Sequence, residues 1–445
     1  MNKEFHKKQN FFSFSDIDSE RKDRIMKFTS TEATPAPHVP PGVLRLTGAA
    51  KEDIPMYRIQ TMNKISPVGL NRFPSELYEV GDAVQDPQGI LVRSAKLLDL
   101  EFNPSLLAIA RAGVGVNNIP LDRCAAAGIP VFSTPGANAN AVKELVIAAM
   151  LIASRDIMGG AKWVQEQANT EGVDVAAAVE KGKSAFVGPE LYKKTLGIIG
   201  LGAIGSIVAN TAISLGMDVY GYDPFLSVDT ALRLDRHVHV VKDINDLYKR
   251  ADYITMHIHY TEKTAHMIDA DAIAAMKRGV RVINLARGEI VDDEAMLTAL
   301  DTGMVAAYIT DFPNNRLLTA PHVIAMPHLG ASTPESEQNC AAMAVDTLRD
   351  YLESGNIRSS VNLPEMTMDR SGVQRLCVLH KNVPGMLANI TSLFGRDGVN
   401  VENLSNKSRG DYAYTMVDLG SKVGDNVIED VRRTANVIRV RSLEW

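Results

Sequence analysis

Three groups of residues in the second half of the chain could share one piece of chemistry. His328, in "MPHLGAST", carries an imidazole that titrates near neutrality, so it can take a proton from an alcohol and give it back in the reverse direction. Arg287, in "INLARGEIV", follows an apolar run and precedes a glycine, and its planar donor fork suits a carboxylate or keto acid. In "GIIGLGAIGS", Gly200, Gly202 and Gly205 spell GxGxxG, with Ala203 and Ile204 inside the motif. Such glycines allow a tight turn, close approach of a pyrophosphate to a helix N-terminus, and tight helix packing. Asp223 ends the next strand-like run, "DVYGYD", roughly 20 residues on, where a carboxylate can bond the adenosine ribose diol. An acid there repels a 2′-phosphate and favours NAD over NADP. Together these residues suit hydride transfer between a nicotinamide and a small 2-hydroxy acid. Singly, each has a plainer reading: a Gly-rich turn, a turn former before Pro224, a surface arginine, a turn histidine.

These residues need elements to hold them. Short β-branched runs ("GILVRS", "IPVFSTPG", "TLGIIG", "ADYITMHI", "VRVINLA", "VAAYITDF") alternate with helical stretches, which predicts parallel, doubly wound α/β layers. The apolar "AVKELVIAAMLIASR" should be a buried helix at a domain junction, and the sequence from 156 to 194 lacks a clear period. We expect a mobile N-terminal extension over 1–55 and a substrate domain over 56–155, completed by 330–360. A Rossmann nucleotide-binding domain follows over 156–329, then a linker over 361–373 and a third unit over 374–445.

With 445 residues, several cores are expected. A net charge of -6 without a basic block disfavours nucleic acid, and no apolar run reaches the ~20 residues of a membrane helix. Cys124, Cys340 and Cys377 are scattered, which fits neither a metal cluster nor a disulfide framework. The acids among the first 25 residues argue against a transit peptide, and "FFSFS" is too short for a secretory signal, so the cytoplasm is expected.

In order along the chain, "LVRSA", "RAGVGVNN", "TPGANANAVKELV", "GLGAIG", "INLARG" and "PHLGAST" resemble the NAD-dependent D-2-hydroxyacid dehydrogenases. The resemblance implies a flavodoxin-like substrate domain beside the Rossmann domain, with NAD as cofactor. By that likeness His328 is the acid-base residue and Arg287 the carboxylate-binding arginine. Arg93, Ser94, Gly113, Gly115 and Asn117 meet the substrate, while Ala286 and Asp311 meet the cofactor on its nicotinamide side. The family usually carries a glutamate a few residues after that aspartate, to orient the histidine; "DFPNNRLL" offers only Asn314 and Asn315. Lys143 is named as a possible assistant, or as an ordinary helix charge. The likeness is strongest to members that oxidise 3-phosphoglycerate in serine synthesis. The alternatives are another D-2-hydroxyacid substrate, such as 2-hydroxyglutarate, glyoxylate or lactate, or a non-catalytic NAD-binding corepressor.

From "VQRLCVLH" onward the pattern reads βαββαβ, and with "NVPGML" and "GVNVENL" it resembles the ACT module that senses amino acids. That resemblance implies L-serine as effector, with His380, Asn382 and Asn400 as its contacts, and a homo-oligomer (dimer or tetramer) because such modules pair edge to edge.

Overall fold

The computed structural model describes residues 56–445. The extension expected over 1–55 lies outside the described residues. The first sheet is parallel in the order β2-β1-β3-β4-β5, from β1 (Tyr57–Met62), β2 (Tyr78–Gly81), β3 (Gly89–Val92), β4 (Ala108–Arg111) and β5 (Val131–Phe132). All four residues of β3 are buried, as a strand covered on both faces requires.

Helix α1 (Ala139–Ser154) leaves this sheet and packs Val142, Val146, Ala149 and Met150 against Leu196, Ile198 and Val208 of the second. It is the junction helix its composition implies, although Leu151 on its outer side is exposed. The aperiodic stretch that follows holds two helices, α2 (Ile157–Ala168) and α3 (Val175–Gly182), capped by the carboxylates of Asp156 and Asp174. Neither buries a residue, which explains the weak apolar pattern there.

The second sheet has seven parallel strands in the order β12-β11-β10-β9-β6-β7-β8. They are β6 (Thr195–Ile199), β7 (Asp218–Tyr222), β8 (Val238–Val241), β9 (Tyr253–Met256), β10 (Val280–Asn284), β11 (Val305–Thr310) and β12 (Val323–Ala325). Helix α4 (Ala203–Ser214) crosses from β6 to β7. The long α5 (Pro334–Ser354) returns to the first sheet and packs Ala341, Ala344, Val345 and Leu348 on Ile59, Leu91 and Ala108. It begins with Pro334 after a Thr333 cap and ends at Gly355, whose φ of 76° favours glycine.

The C-terminal unit runs β13 (Gln374–Lys381), α6 (Met386–Arg396), β14 (Val401–Arg409), β15 (Tyr412–Leu419), α7 (Asp425–Arg433), β16 (Val437–Glu444). Its sheet is antiparallel, in the order β14-β15-β13-β16. Alternation along the strands gives it two apolar faces. Leu376, Val378 and Val417 meet Ile390 and Phe394 of α6, while Cys377, Leu379, Tyr414 and Met416 join the core of the first sheet and α5. The segment expected to be a linker is packed too, with Leu363, Met366 and Met368 buried. Arg375 and Asp418, both 0% exposed, pair at 2.6 Å, and Arg375 also donates to the carbonyls of Ser354, Met368 and Asp369. Arg441 donates to the Tyr351 and Leu352 carbonyls at the end of α5.

Candidate active site

The carboxyl ends of the two parallel sheets face a common cleft of about 760 Å³. On the second sheet, the three motif glycines answer three different steric demands. Gly200 has φ +91°, and a Cβ there would lie 2.6 Å from the His257 carbonyl oxygen. A Cβ on Gly205 would lie 1.9 Å from the Gly200 carbonyl oxygen, so α4 can approach β6 only without one. Gly202 starts α4 with no side-chain cap and nothing within 4 Å of its missing Cβ, leaving the first helix amides open to the cleft. An uncapped N-terminus facing open space fits a pyrophosphate. Asp223 follows β7 and accepts from the amides of Leu201 at 2.9 Å and Phe225 at 2.8 Å. It therefore shapes the glycine loop.

Arg287 follows β10 and lines the cleft with Ala286, its own backbone fixed by Asn284 Nδ2, which donates to the Arg287 carbonyl at 2.8 Å. Across from it, the loop after β4 carries Gly113, Gly115 and Asn117. A Cβ on Gly115 would lie 3.0 Å from Arg111 Nη1 and 3.9 Å from Arg287 Nη2. Arg111, which sequence reasoning quoted without singling out, is thus a third guanidinium beside Arg287 and Arg93. Its Nε donates to the Arg93 carbonyl at 2.8 Å, and Arg93 itself pairs with Glu337 of α5 at 2.5 Å. Burial, together with the neighbouring charges of Arg287 and Arg93, holds Arg111 below the ordinary guanidinium value. The only available signal for it was its position at a strand end, directly before the glycine loop.

His328 follows β12 and is exposed at the cleft wall, edge-on to Phe312, with ring centroids 4.8 Å apart at 84°. Arg287 stands over the same Phe312 ring, its guanidinium carbon 5.9 Å from the centroid. Asp311 is buried, and neither carboxylate oxygen has a hydrogen-bond partner. Burial pushes its pKa up, and the charges of His328 and Arg287 partly offset that. An orphaned buried carboxylate at this point is a feature that a bound nicotinamide group could complete. Asn314 does not stand in for the absent glutamate: its amide donates to Asp293 at 2.6 Å and its oxygen accepts from the Arg316 and Leu317 amides.

Lys143 and Ser94 are not among the residues lining the cleft. The Lys143 ammonium donates to Asn140 at 2.6 Å on its own helix, and the Ser94 amide is held by Asn63. The cleft does include His257, His259 and Phe312, which sequence reasoning passed over. Burial pushes His257 down to about 4, so it is neutral at physiological pH.

In the C-terminal unit, the three expected effector contacts do not meet within one chain. Both ring nitrogens of His380 are engaged inside the sheet, with the Lys381 carbonyl and the Thr415 hydroxyl, each at 2.8 Å. The Asn382 amide bonds the Asp411 carbonyl at one end of β13, while the Asn400 carbonyl accepts from Gly420 at the other, roughly 25 Å away along eight residues of strand.

Comparison with known proteins accords with this geometry. Residues 147–330 match the family described as D-isomer specific 2-hydroxyacid dehydrogenase, NAD binding domain. A curated D-3-phosphoglycerate dehydrogenase of Haemophilus influenzae is 31% identical over 383 residues, covering 82% of this chain and 88% of its own length. This chain belongs to the D-isomer-specific 2-hydroxyacid dehydrogenase family. NAD is accordingly the cofactor of the seven-stranded sheet. The D-3-phosphoglycerate dehydrogenase of Synechocystis is 36% identical over 327 residues, covering 72% of this chain and 56% of the relative, and that of Bacillus subtilis is 36% identical and 60% covered. The chain thus spans little more than half the length of those two relatives. Among solved structures of the family, the NAD+-bound 3-phosphoglycerate dehydrogenase of Entamoeba histolytica is 25% identical, with a TM-score of 0.51 over 69% of this chain and 99% of its own.

Proposed function

We propose that this chain oxidises 3-phosphoglycerate to 3-phosphohydroxypyruvate with NAD, and that L-serine inhibits it. The observation that carries the substrate is the convergence of Arg93, Arg111 and Arg287 on the Gly113–Asn117 loop. Glu337 is the one acid among the described residues that line the cleft, which leaves a surplus of positive charge suited to a substrate bearing both a carboxylate and a phosphate. Relatives named D-3-phosphoglycerate dehydrogenase support the same reading.

In this reading Arg287 binds the substrate carboxylate, the Gly115 amide meets it from the opposite wall on the loop that Gly113 begins, and Arg93 and Arg111 hold the phosphate. His328 accepts the hydroxyl proton as the carbon-bound hydrogen departs, and Phe312 keeps the imidazole edge-on at the cleft wall. When bound, NAD supplies the hydride acceptor. The glycine loop and Asp223 orient it, and Asp311 meets its nicotinamide side. Lys143, held by Asn140, serves as a helix charge.

The effector reading needs two copies of the chain. β14 is an edge strand with mostly exposed side chains. Antiparallel pairing with its own copy would bring Asn400 of one chain towards the Asn382 end of the other, completing a site that one chain leaves open. Within each chain His380 would then act by shaping the loop. Among the described residues no helix is long and apolar enough to cross a membrane, and we place the enzyme in the cytoplasm.

The test is NADH formation from 3-phosphoglycerate with the keto acid removed, with and without L-serine. Activity that serine suppresses supports both parts. Activity indifferent to serine leaves the enzyme and removes the effector site. No activity on 3-phosphoglycerate, with turnover of glyoxylate, lactate or 2-hydroxyglutarate, replaces the substrate. NAD binding with no turnover at all would favour the corepressor-like alternative.

A further inference from the structure

The three strands β6, β9 and β10 lead at their carboxyl ends into Gly200, His257 and Leu285, which edge or line the cleft. Their amino ends, roughly 15 Å away along four to five residues of strand, frame a separate and smaller pocket of about 100 Å³. Its walls carry four cations, Lys194, Lys277, Arg278 and Arg281, and one acid, Asp252.

Asp252 pairs with Lys277 at 3.1 Å and spends its other oxygen on the Thr195 amide. Among the described residues, Lys194, Arg278 and Arg281 then have no acidic partner within ion-pair distance. The two guanidinium groups are nonetheless held in place. Arg278 donates to the Thr302 carbonyl at 2.6 Å, and Arg281 donates to the Ala153 carbonyl at 2.8 Å and lies 5.5 Å from the Tyr253 ring centroid. Backbone carbonyls and a tyrosine ring fix a guanidinium without neutralising it. The chain as a whole carries a charge of -6, so three uncompensated cations in one small hollow run against its average surface.

We propose that this pocket binds a phosphate-class oxyanion, either free phosphate or the phosphate end of a small metabolite. The volume corresponds to about three waters, enough for one tetrahedral anion and too little for a nucleotide. Two oriented guanidinium forks and a mobile ammonium are the donor set such an anion takes. The site lies at the opposite end of the strands from the cleft, so its ligand does not compete with the substrate. Through Arg281 it touches Ala153, in the last turn of α1, the helix that joins the two sheets.

The full chain is titrated with inorganic phosphate at ionic strength held constant with chloride, and Tm is followed. We expect a saturable rise in Tm that persists in Arg111→Met, where phosphate binding in the cleft is weakened. Among the described residues the Lys194 side chain makes no hydrogen bond or ion pair, so Lys194→Met should fold normally and keep wild-type turnover in chloride. Its phosphate affinity should fall about tenfold, as loss of one charge-assisted contact implies. Lys194→Met/Arg278→Met should lose the response. A rise that disappears in Arg111→Met but is untouched by Lys194→Met assigns the phosphate to the cleft and overturns the proposal, as does the absence of any saturable rise over chloride. Glycerol 2-phosphate distinguishes the sources: an equal response supports a metabolite's phosphate end, and a response to inorganic phosphate alone supports the free ion.

Discussion

His328 stands edge-on to Phe312, with ring centroids 4.8 Å apart and planes at 84°, and the Arg287 guanidinium carbon lies 5.9 Å from the centroid of the same ring. One aromatic ring therefore stands beside both groups that would handle the hydroxyl and the carboxylate, and among the described residues no carboxylate bonds the imidazole. Replacing His328 by alanine should lower kcat by about 10² to 10⁴-fold with NAD affinity unchanged, as loss of a general base does. Phe312→Ala should lower kcat less and raise KM as well, because it loosens both partners. Steady-state kinetics and NAD titration check the pair.

Arg111 is tested against substrate affinity. Arg111→Met should raise KM for 3-phosphoglycerate by about 10 to 100-fold, the value of one charge-assisted contact, with a smaller change in kcat. An unchanged KM would assign Arg111 to shaping the Arg93 backbone alone.

Asp311 couples stability to pH. Its pKa is raised above the ordinary 3.8, so between that value and the raised one the folded state holds more protons than the unfolded. Stability of the cofactor-free protein therefore falls as pH rises through that window, and the full penalty is present above it. Asp311→Asn should be more stable than the parent near neutral pH, and the gap should close as pH falls towards the ordinary aspartate range. The same variant should turn over more slowly. Thermal unfolding across pH, without NAD, measures the first effect.

Gly200→Ala should lower both Tm and NAD affinity. The new methyl meets the His257 carbonyl at 2.6 Å in a backbone conformation of φ +91°.

Asp418→Asn should destabilise the fold by about 3–5 kcal/mol, because it leaves the Arg375 guanidinium buried without its counter-charge. Denaturant unfolding is the measurement. A much smaller loss would mean that the carbonyls of Ser354, Met368 and Asp369 suffice to hold Arg375.

Much of this was legible from local sequence. The glycine motif, Asp223 and the alternation of strands and helices depend on neighbours within one βαβ unit, and the two doubly wound sheets follow from them. Helices α2 and α3 escaped because they bury nothing and so carry no apolar stripe. The Arg93–Glu337 pair joins residues 244 apart, and no local period reports such a contact. Arg111 was hidden because a guanidinium at a turn looks alike whether it faces solvent or two other guanidinium groups. The packing of 361–373 was missed because Pro364, Glu365 and Asp369 read as linker, while the buried Leu363, Met366 and Met368 are too widely spaced to show a face.

Helix α5 is gripped at both ends. Near its start Glu337 holds Arg93 in the cleft, and at its end the Ser354 carbonyl accepts from Arg375 while Arg441 takes the carbonyls of Tyr351 and Leu352. Its 21 residues span about 31 Å. The C-terminal sheet and the cleft are thus two ends of one stiff beam rather than two bodies on a tether. A tilt imposed on that sheet would act on the same helix that carries Glu337, the ion-pair partner of Arg93.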